Sequence, residues 1–284
     1  MMRPSTLIAL VTLCMIPSAL PGLAAPPPSI GYTTKTVERR EPKCSADADA
    51  FHCPHITFKY PVIERAPQPG AAAAINQAIT DFLLTSIGEP RKYKSIDAAM
   101  TEFMQGYQAY KQLPGTTSAY WEERTVTVRY QSDRIVSLNF EVSFFLGGLH
   151  PQYASVFTSF TAATGVKIRL ADVLVPGYGP RLTRIAENRF RAVNGIKPGT
   201  TLHDAGYIFF KNDTFALSDN FWIGPKGITF FYNPYEIAPH SMGTTELLLG
   251  PVHVCTSCLY LPSNGVKCVS RYQPKTSRER QGDG

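Results

Sequence analysis

Residues 134–148, RIVSLNFEVSFFLGG, alternate almost without a break. Val136, Leu138, Phe140, Val142 and Phe144 fall on one side of an extended chain; Ser137, Asn139, Glu141 and Ser143 fall on the other. Period two over this length specifies a strand, because a helix would scatter the same apolar residues around its axis. One apolar and one polar face point to an antiparallel sheet with a single wet side. The preceding AYWEERTVTVRYQ repeats the pattern, with Ser132-Asp133 as the turn between the two. Beyond GGLHP, YASVFTSFTA predicts a further strand running to a tight turn at Thr164-Gly165.

Helices interrupt this pattern. In AAAAINQAITDFLLTSI, Ile75, Ile79, Phe82, Leu83 and Ile87 share a helical face. In SIDAAMTEFMQGYQAYKQL, Ile96, Met100, Phe103, Tyr107 and Tyr110 do the same, with Ser95 placed to cap the start. Pro180 to Val193 forms a third helical pattern, along Leu182, Ile185, Ala186, Arg189, Phe190 and Val193, with Gly195 where a helix-ending glycine belongs. HITFKYPVI predicts a strand with an edge or bulge at Pro61. GYIFF, NFWI, GITFFY and TELLLGPVHV predict short later strands, with 224–227 as the turn between NFWI and GITFFY. Hairpins alternating with helices indicate an α+β fold of antiparallel sheets with packed helices. No glycine-rich strand-to-helix turn suggests a nucleotide-binding fold.

The first residues set the expected compartment. Arg3, an apolar run from Leu7 to Leu23 and the small-x-small end Gly22-Leu23-Ala24 form a signal-peptide pattern, with cleavage after Ala24. Pro17 and Pro21 break the run, which argues against a retained membrane anchor. The expected mature chain is periplasmic or secreted, with no stable membrane insertion. Its segment APPPSIGYTTKTVERREP, over 25–42, is rich in proline and charge and is expected to be an extended lead-in or linker. Five cysteines follow the cleavage point. Cys44 and Cys53 are close together and far from the rest, so they are expected to pair in an oxidising compartment. Cys255, Cys258 and Cys268 cannot all pair internally: one is left free, or it joins a second chain as a disulfide-linked dimer. His253 with these three offers a zinc set, but export favours a disulfide from Cys268 to Cys255 or Cys258. No metal and no cofactor is called for.

The net charge is +6. From residue 255 onward, Lys267, Arg271, Lys275, Arg278 and Arg280 face only Glu279 and Asp283, so much of the basicity belongs to the tail. A nucleic-acid partner is not expected, because no basic stripe runs among aromatic residues.

The segment FFYNPYEIAPHSMGTTELLL, 230–249, gathers Tyr235, Glu236 and His240. Asn233 fits a helix cap, Pro234 the first helical position and Glu236 the third. That spacing lets the Glu236 side chain reach back to the cap's backbone N–H, so Glu236 reads as structural. Pro239 then halts the helix and Gly243 permits a reversal. The competing reading makes Glu236, His240 and His150 the acid/base groups of a cell-wall hydrolase or deacetylase-related enzyme. His150, after the Gly-Gly turn, reads most simply as bonded to loop backbone. His52 and His55 read as surface loop. Trp121 and Trp222, if exposed, suit stacking on sugar rings.

FFYNPYEIAPHSMG resembles the strand–turn–strand hallmark of the RsiV-like C-terminal domain. GGLHPQYASVFTSFTAATGVKIRLADVL resembles that family's preceding run, and ITFKYPVI with AINQAITDFL is similar to the small domain that precedes it in PdaC-type deacetylases and in RsiV. The resemblance implies an extracytoplasmic two-part module: 44–150 PdaC-accessory-like and 151–254 RsiV-like, flanked by the 1–24 signal, a 25–43 linker and a 255–284 tail. In RsiV the module binds lysozyme and has no catalytic centre. In PdaC-type proteins it adjoins a separate polysaccharide deacetylase domain, whose TFDDG-like stretch and His-x-x-x-His pair are not found here. A basic lysozyme would meet a basic module with unfavourable steering. The expected function is therefore a non-catalytic envelope-binding module for peptidoglycan, an anionic polymer or a wall-acting protein such as a lysozyme. Tyr235, Glu236, His240 and His150 are its candidate binding residues.

Overall fold

The computed structural model describes residues 30–45, 52–89, 91–174 and 176–250. The signal-like segment, His253 and the tail cysteines Cys255, Cys258 and Cys268 lie outside them. Among the described residues no helix is long and apolar enough to cross a membrane.

Five strands form the first sheet: β1 (Gly31–Arg40), β2 (His55–Arg65), β3 (Trp121–Gln131), β4 (Ile135–Phe145) and β5 (Gln152–Thr161), in the order β1-β2-β3-β4-β5. All neighbours are antiparallel except β2 and β3. Parallel neighbours need a crossover, and α1 (Pro69–Leu84) with α2 (Ile96–Tyr110) supplies it. Three expectations change here. Most of the supposed linker is β1, whose Thr33, Thr34, Thr36 and Val37 are β-branched and pair with β2 along its length. β2 is an interior strand; Pro61 lies beyond the β3 pairing, which ends at Lys59, so its missing N–H costs no bond to β3. β5 extends the first sheet to Thr161, past the domain boundary expected at 150.

The apolar face of β4 packs under the two helices. Val136, Leu138 and Phe140 meet Ile75, Ile79 and Leu83 of α1 and Met100 of α2 in one core. Ser95 caps α2, its hydroxyl accepting from the Ala98 N–H at 3.1 Å. The C-terminus of α1 is held from within the sheet. Arg124, 2 % exposed, donates to the carbonyls of Phe82, Leu83 and Thr85 at 2.8, 3.0 and 2.5 Å and to Glu122 at 2.5 Å. A cation at that end also complements the helix dipole. Burial pushes the Glu122 carboxyl above its ordinary range while Arg124 pulls it back.

The second sheet is antiparallel, ordered β6 (Phe221–Gly224), β7 (Gly227–Tyr232) and β8 (Thr245–Leu249). After the one-turn α3 (Leu170–Val173), α4 (Gly179–Val193) packs on it through buried Leu182, Ala186 and Phe190. Gly224 is required by close approach, since a Cβ there would meet the Trp222 ring at 2.4 Å. GYIFF is not a strand. It turns, sending Tyr207 and Phe210 into the core beside Phe190 and leaving Ile208 and Phe209 outside. A run of aromatic residues marks burial as readily as it marks a strand. The result is an α+β fold with two mostly antiparallel sheets.

Candidate functional site

The segment after β7 is a turn, not a helix. The Glu236 N–H donates to the Asn233 carbonyl at 3.1 Å, closing a β-turn around Pro234 and Tyr235. Tyr235 takes φ 65°, the positive value a type II turn needs at that position, and this prevents helical continuation. The reach-back is nevertheless made: the Asn233 N–H donates to Glu236 Oε2 at 2.9 Å. Glu236 Oε1 accepts from the Ser218 hydroxyl, also at 2.9 Å. Both carboxylate oxygens thus hold the loop. The Asn233 side chain, freed from capping, crosses to β5, accepting from the Ser155 N–H at 2.7 Å and donating to the Ser155 carbonyl at 3.1 Å.

That crossing is half of a clamp. Asn220, just before β6, accepts from the Phe157 N–H and donates to the Ser155 carbonyl, both at 2.7 Å. The two carboxamides satisfy backbone groups on the outer edge of β5, which would otherwise be open to pairing. Further along, Ser159 Oγ accepts from the Ile223 N–H at 2.9 Å, and Ser137 donates to the Ile223 carbonyl at 2.7 Å. These bonds dock the second sheet on the polar face of the first.

The docking leaves a cleft of about 480 Å³ beside the junction. The first sheet contributes Trp121, Arg129, Asn139 and Glu141, the start of β5 contributes Gln152 and Tyr153, and β8 contributes Glu246. Asn139 is 8 % exposed and donates to Glu141 Oε2 at 3.4 Å, while its carboxamide oxygen has no partner among the described residues. The Arg129 guanidinium lies 5.6 Å from the Trp222 ring centroid and 6.0 Å from that of Phe157, within cation–π range of both.

Two predicted residues meet at the rim. The rings of His150 and His240 lie 4.4 Å apart, and His240 also contacts Tyr235 at 5.4 Å and Tyr153 at 5.6 Å. His150 Nδ1 approaches the Pro151 carbonyl at 2.9 Å and Gln152 Nε2 at 3.1 Å, so the cluster leads into the cleft through Gln152 and Tyr153. Glu236 has its carboxylate engaged with Asn233 and Ser218. No group of three His, Cys, Asp or Glu side chains suited to a metal occurs among the described residues.

His55 differs from its sequence reading: it is 5 % exposed. Its Nδ1 meets the Cys53 carbonyl at 2.9 Å, its Nε2 lies 3.6 Å from Glu123, and its ring stacks on Trp121 at 6.5 Å. The neighbouring Glu123 carboxylate raises the His55 pKa against the effect of burial, and His55 in turn lowers that of Glu123. Cys53 is bonded to Cys44, which ties the segment entering β2 beside this histidine.

Sequence reasoning named Trp121 and the polar face of β4 without joining them. It missed Arg129, Gln152, Tyr153 and Glu246 as cleft residues, because the docking that brings them together is long-range.

Residues 46–153 match the family model described as Deacetylase PdaC, and residues 171–250 match DUF3298, a protein family of unknown function. No curated protein matches the chain. A crystal structure of a DUF3298 family protein from Pseudomonas aeruginosa PAO1 is similar with a TM-score of 0.62 at 18 % identity, over 81 % of this chain and 94 % of that one. A DUF3298 family member from Bacteroides fragilis NCTC 9343 gives 0.63 at 18 %, over 81 % and 95 %. At that identity the likeness concerns the fold. With both models matched in order on one such fold, this chain joins a PdaC-type domain to a C-terminal domain of the DUF3298, RsiV-like family.

Proposed function

We propose that the protein is an exported, non-catalytic envelope-binding module whose cleft takes a glycan chain such as that of peptidoglycan. The observation that carries the reading is the unpartnered carboxamide oxygen of Asn139, in the wall of a cleft that also presents Trp121 and Tyr153. A sugar ring has apolar C–H faces and a polar edge. It suits aromatic side chains flanked by a few fixed carboxamides and carboxylates, here Asn139, Gln152, Glu141 and Glu246. Buried polar groups without partners are rare in folded proteins, and a hydroxyl or amide of a ligand would supply the missing donor. The PdaC family carries the name of a deacetylase, and the resemblance described above attaches that chemistry to polysaccharide. An anionic polymer fits this cleft less well, with two carboxylates against one guanidinium in its lining.

Both tryptophans of the chain stand at or beside the cleft, so intrinsic fluorescence reports on it directly. Titration with solubilised peptidoglycan fragments and with N-acetylglucosamine hexamer is expected to shift the emission and to saturate. Trp121→Ala and Tyr153→Ala are each expected to weaken binding about tenfold, the loss of roughly one good stacking contact. Absence of saturable binding to both probes would overturn the proposal. So would wild-type affinity in both variants, or release of shortened or deacetylated sugar products during incubation.

A further inference from the structure

The charged side chains of the cleft lining leave it net negative: Glu141 and Glu246 stand against Arg129 alone. Among the described residues neither carboxylate is joined to a cation. Arg129 stacks over Trp222 and Phe157, so the one guanidinium is already engaged with rings. Beside the neutral side chains of Gln152, Ser143, Ser155 and Thr244, the lining presents the Asn139 oxygen without a donor, two carboxylates, and the rings of Trp121 and Tyr153. A concave site with low-dielectric walls and net negative charge concentrates cations. Aromatic faces beside carboxylates favour an ammonium over a neutral amide.

We infer that the preferred ligand is a cationic amino sugar: a glycan carrying free, protonated 2-amino groups, in preference to the same glycan with those groups acetylated. This rests on the glycan reading of the same cleft and narrows it. The ammonium sits among Glu141, Glu246 and the Asn139 carboxamide oxygen while the ring stacks on an aromatic wall. N-acetylation removes both the charge and two of the three donors of the amine.

The test compares glucosamine hexamer, N-acetylglucosamine hexamer and hexalysine by calorimetry at pH 6 and low salt. Glucosamine hexamer is expected to bind at least tenfold more tightly than either of the others. That preference is expected to collapse in 0.5 M salt, at pH 9 where the amines are neutral, and in the Glu141→Gln/Glu246→Gln variant. If the acetylated hexamer binds as well or better, the inference is overturned and the glycan reading stands. If hexalysine matches glucosamine hexamer, the cleft reads charge without sugar and the inference is again overturned. If neither sugar binds, both readings fail together.

Discussion

Replacing Glu236 by Gln separates a structural role from a chemical one. The carboxylate accepts two hydrogen bonds at 2.9 Å, from the Asn233 N–H and the Ser218 hydroxyl. A glutamine keeps one acceptor oxygen and turns an NH₂ donor toward one of the two donors. A hydrogen bond to a charged group contributes about 1.5–3 kcal/mol where it is shielded, and Glu236 is an exposed residue, so the lower end applies. The expected loss is about 1–2 kcal/mol, which for a body of this size lowers Tm by roughly 2–8 °C. Glu236→Ala removes both bonds and relaxes the turn that holds Tyr235 at φ 65°, so its loss exceeds that of the glutamine variant. Differential scanning calorimetry gives the Tm, and the fluorescence titration with peptidoglycan fragments gives the affinity. The reasoning requires lower Tm with affinity within about twofold of wild type. Unchanged Tm with lost binding, or with loss of any turnover of peptidoglycan, would refute it and restore Glu236 as a functional carboxylate.

Other perturbations test other joints of the structure. Arg124→Met strands the buried Glu122 and the last carbonyls of α1, and should cost about 3–5 kcal/mol in urea denaturation; a loss under 1 kcal/mol would show that the guanidinium is dispensable. The His55 pKa is raised above 6.5 by Glu123, so the stability it contributes is complete below about pH 6.5 and is lost as pH rises through the folded value. Tm should therefore fall between pH 6.5 and 8 in wild type more than in His55→Gln, and parallel curves for the two would exclude the pair. Cys44→Ser/Cys53→Ser opens a loop of sequence separation 9 and should cost about 2.5 kcal/mol on loop entropy, read as a drop in the urea midpoint.

The parts of the fold that were legible in the sequence are those where local pattern and tertiary need coincide. Ser95 caps α2 because a hydroxyl before an apolar-periodic run finds a free N–H whatever surrounds it. The β3–β4 hairpin follows from alternation on both sides of Ser132-Asp133, and Ser132 closes the turn by accepting from the Arg134 and Ile135 amides. What misled was composition standing in for pairing. Residues 31–40 looked like a linker because the stretch around and within them is rich in proline and charge, but a partner strand, β2, decides their conformation. Asn233 looked like a helix cap because Asn, Pro and Glu fit that spacing. The positive φ of Tyr235 and the pull of the Ser155 backbone on the Asn233 carboxamide resolve it as a turn that also docks one sheet on the other.

The site was harder to read for a reason visible along β4 alone. Alternation assigns Ser137, Asn139 and Glu141 to the same face, and a sequence treats them alike. The docked second sheet treats them in three ways: Ser137 is fully sealed under Ile223, Asn139 stands at the border with an oxygen left unpartnered, and Glu141 is open in the cleft. Periodicity reports a direction for each side chain, whereas function depends on how far the neighbouring sheet reaches along that direction. That reach is set by side chains far away in sequence, Asn220 and Asn233 on the edge of β5. A cleft formed this way owes its polarity to a surface that was already wet and its shape to a clamp. Substitutions in the clamp should therefore alter ligand binding without replacing a residue of the cleft wall, by releasing the Ser155 and Phe157 backbone that the two carboxamides hold.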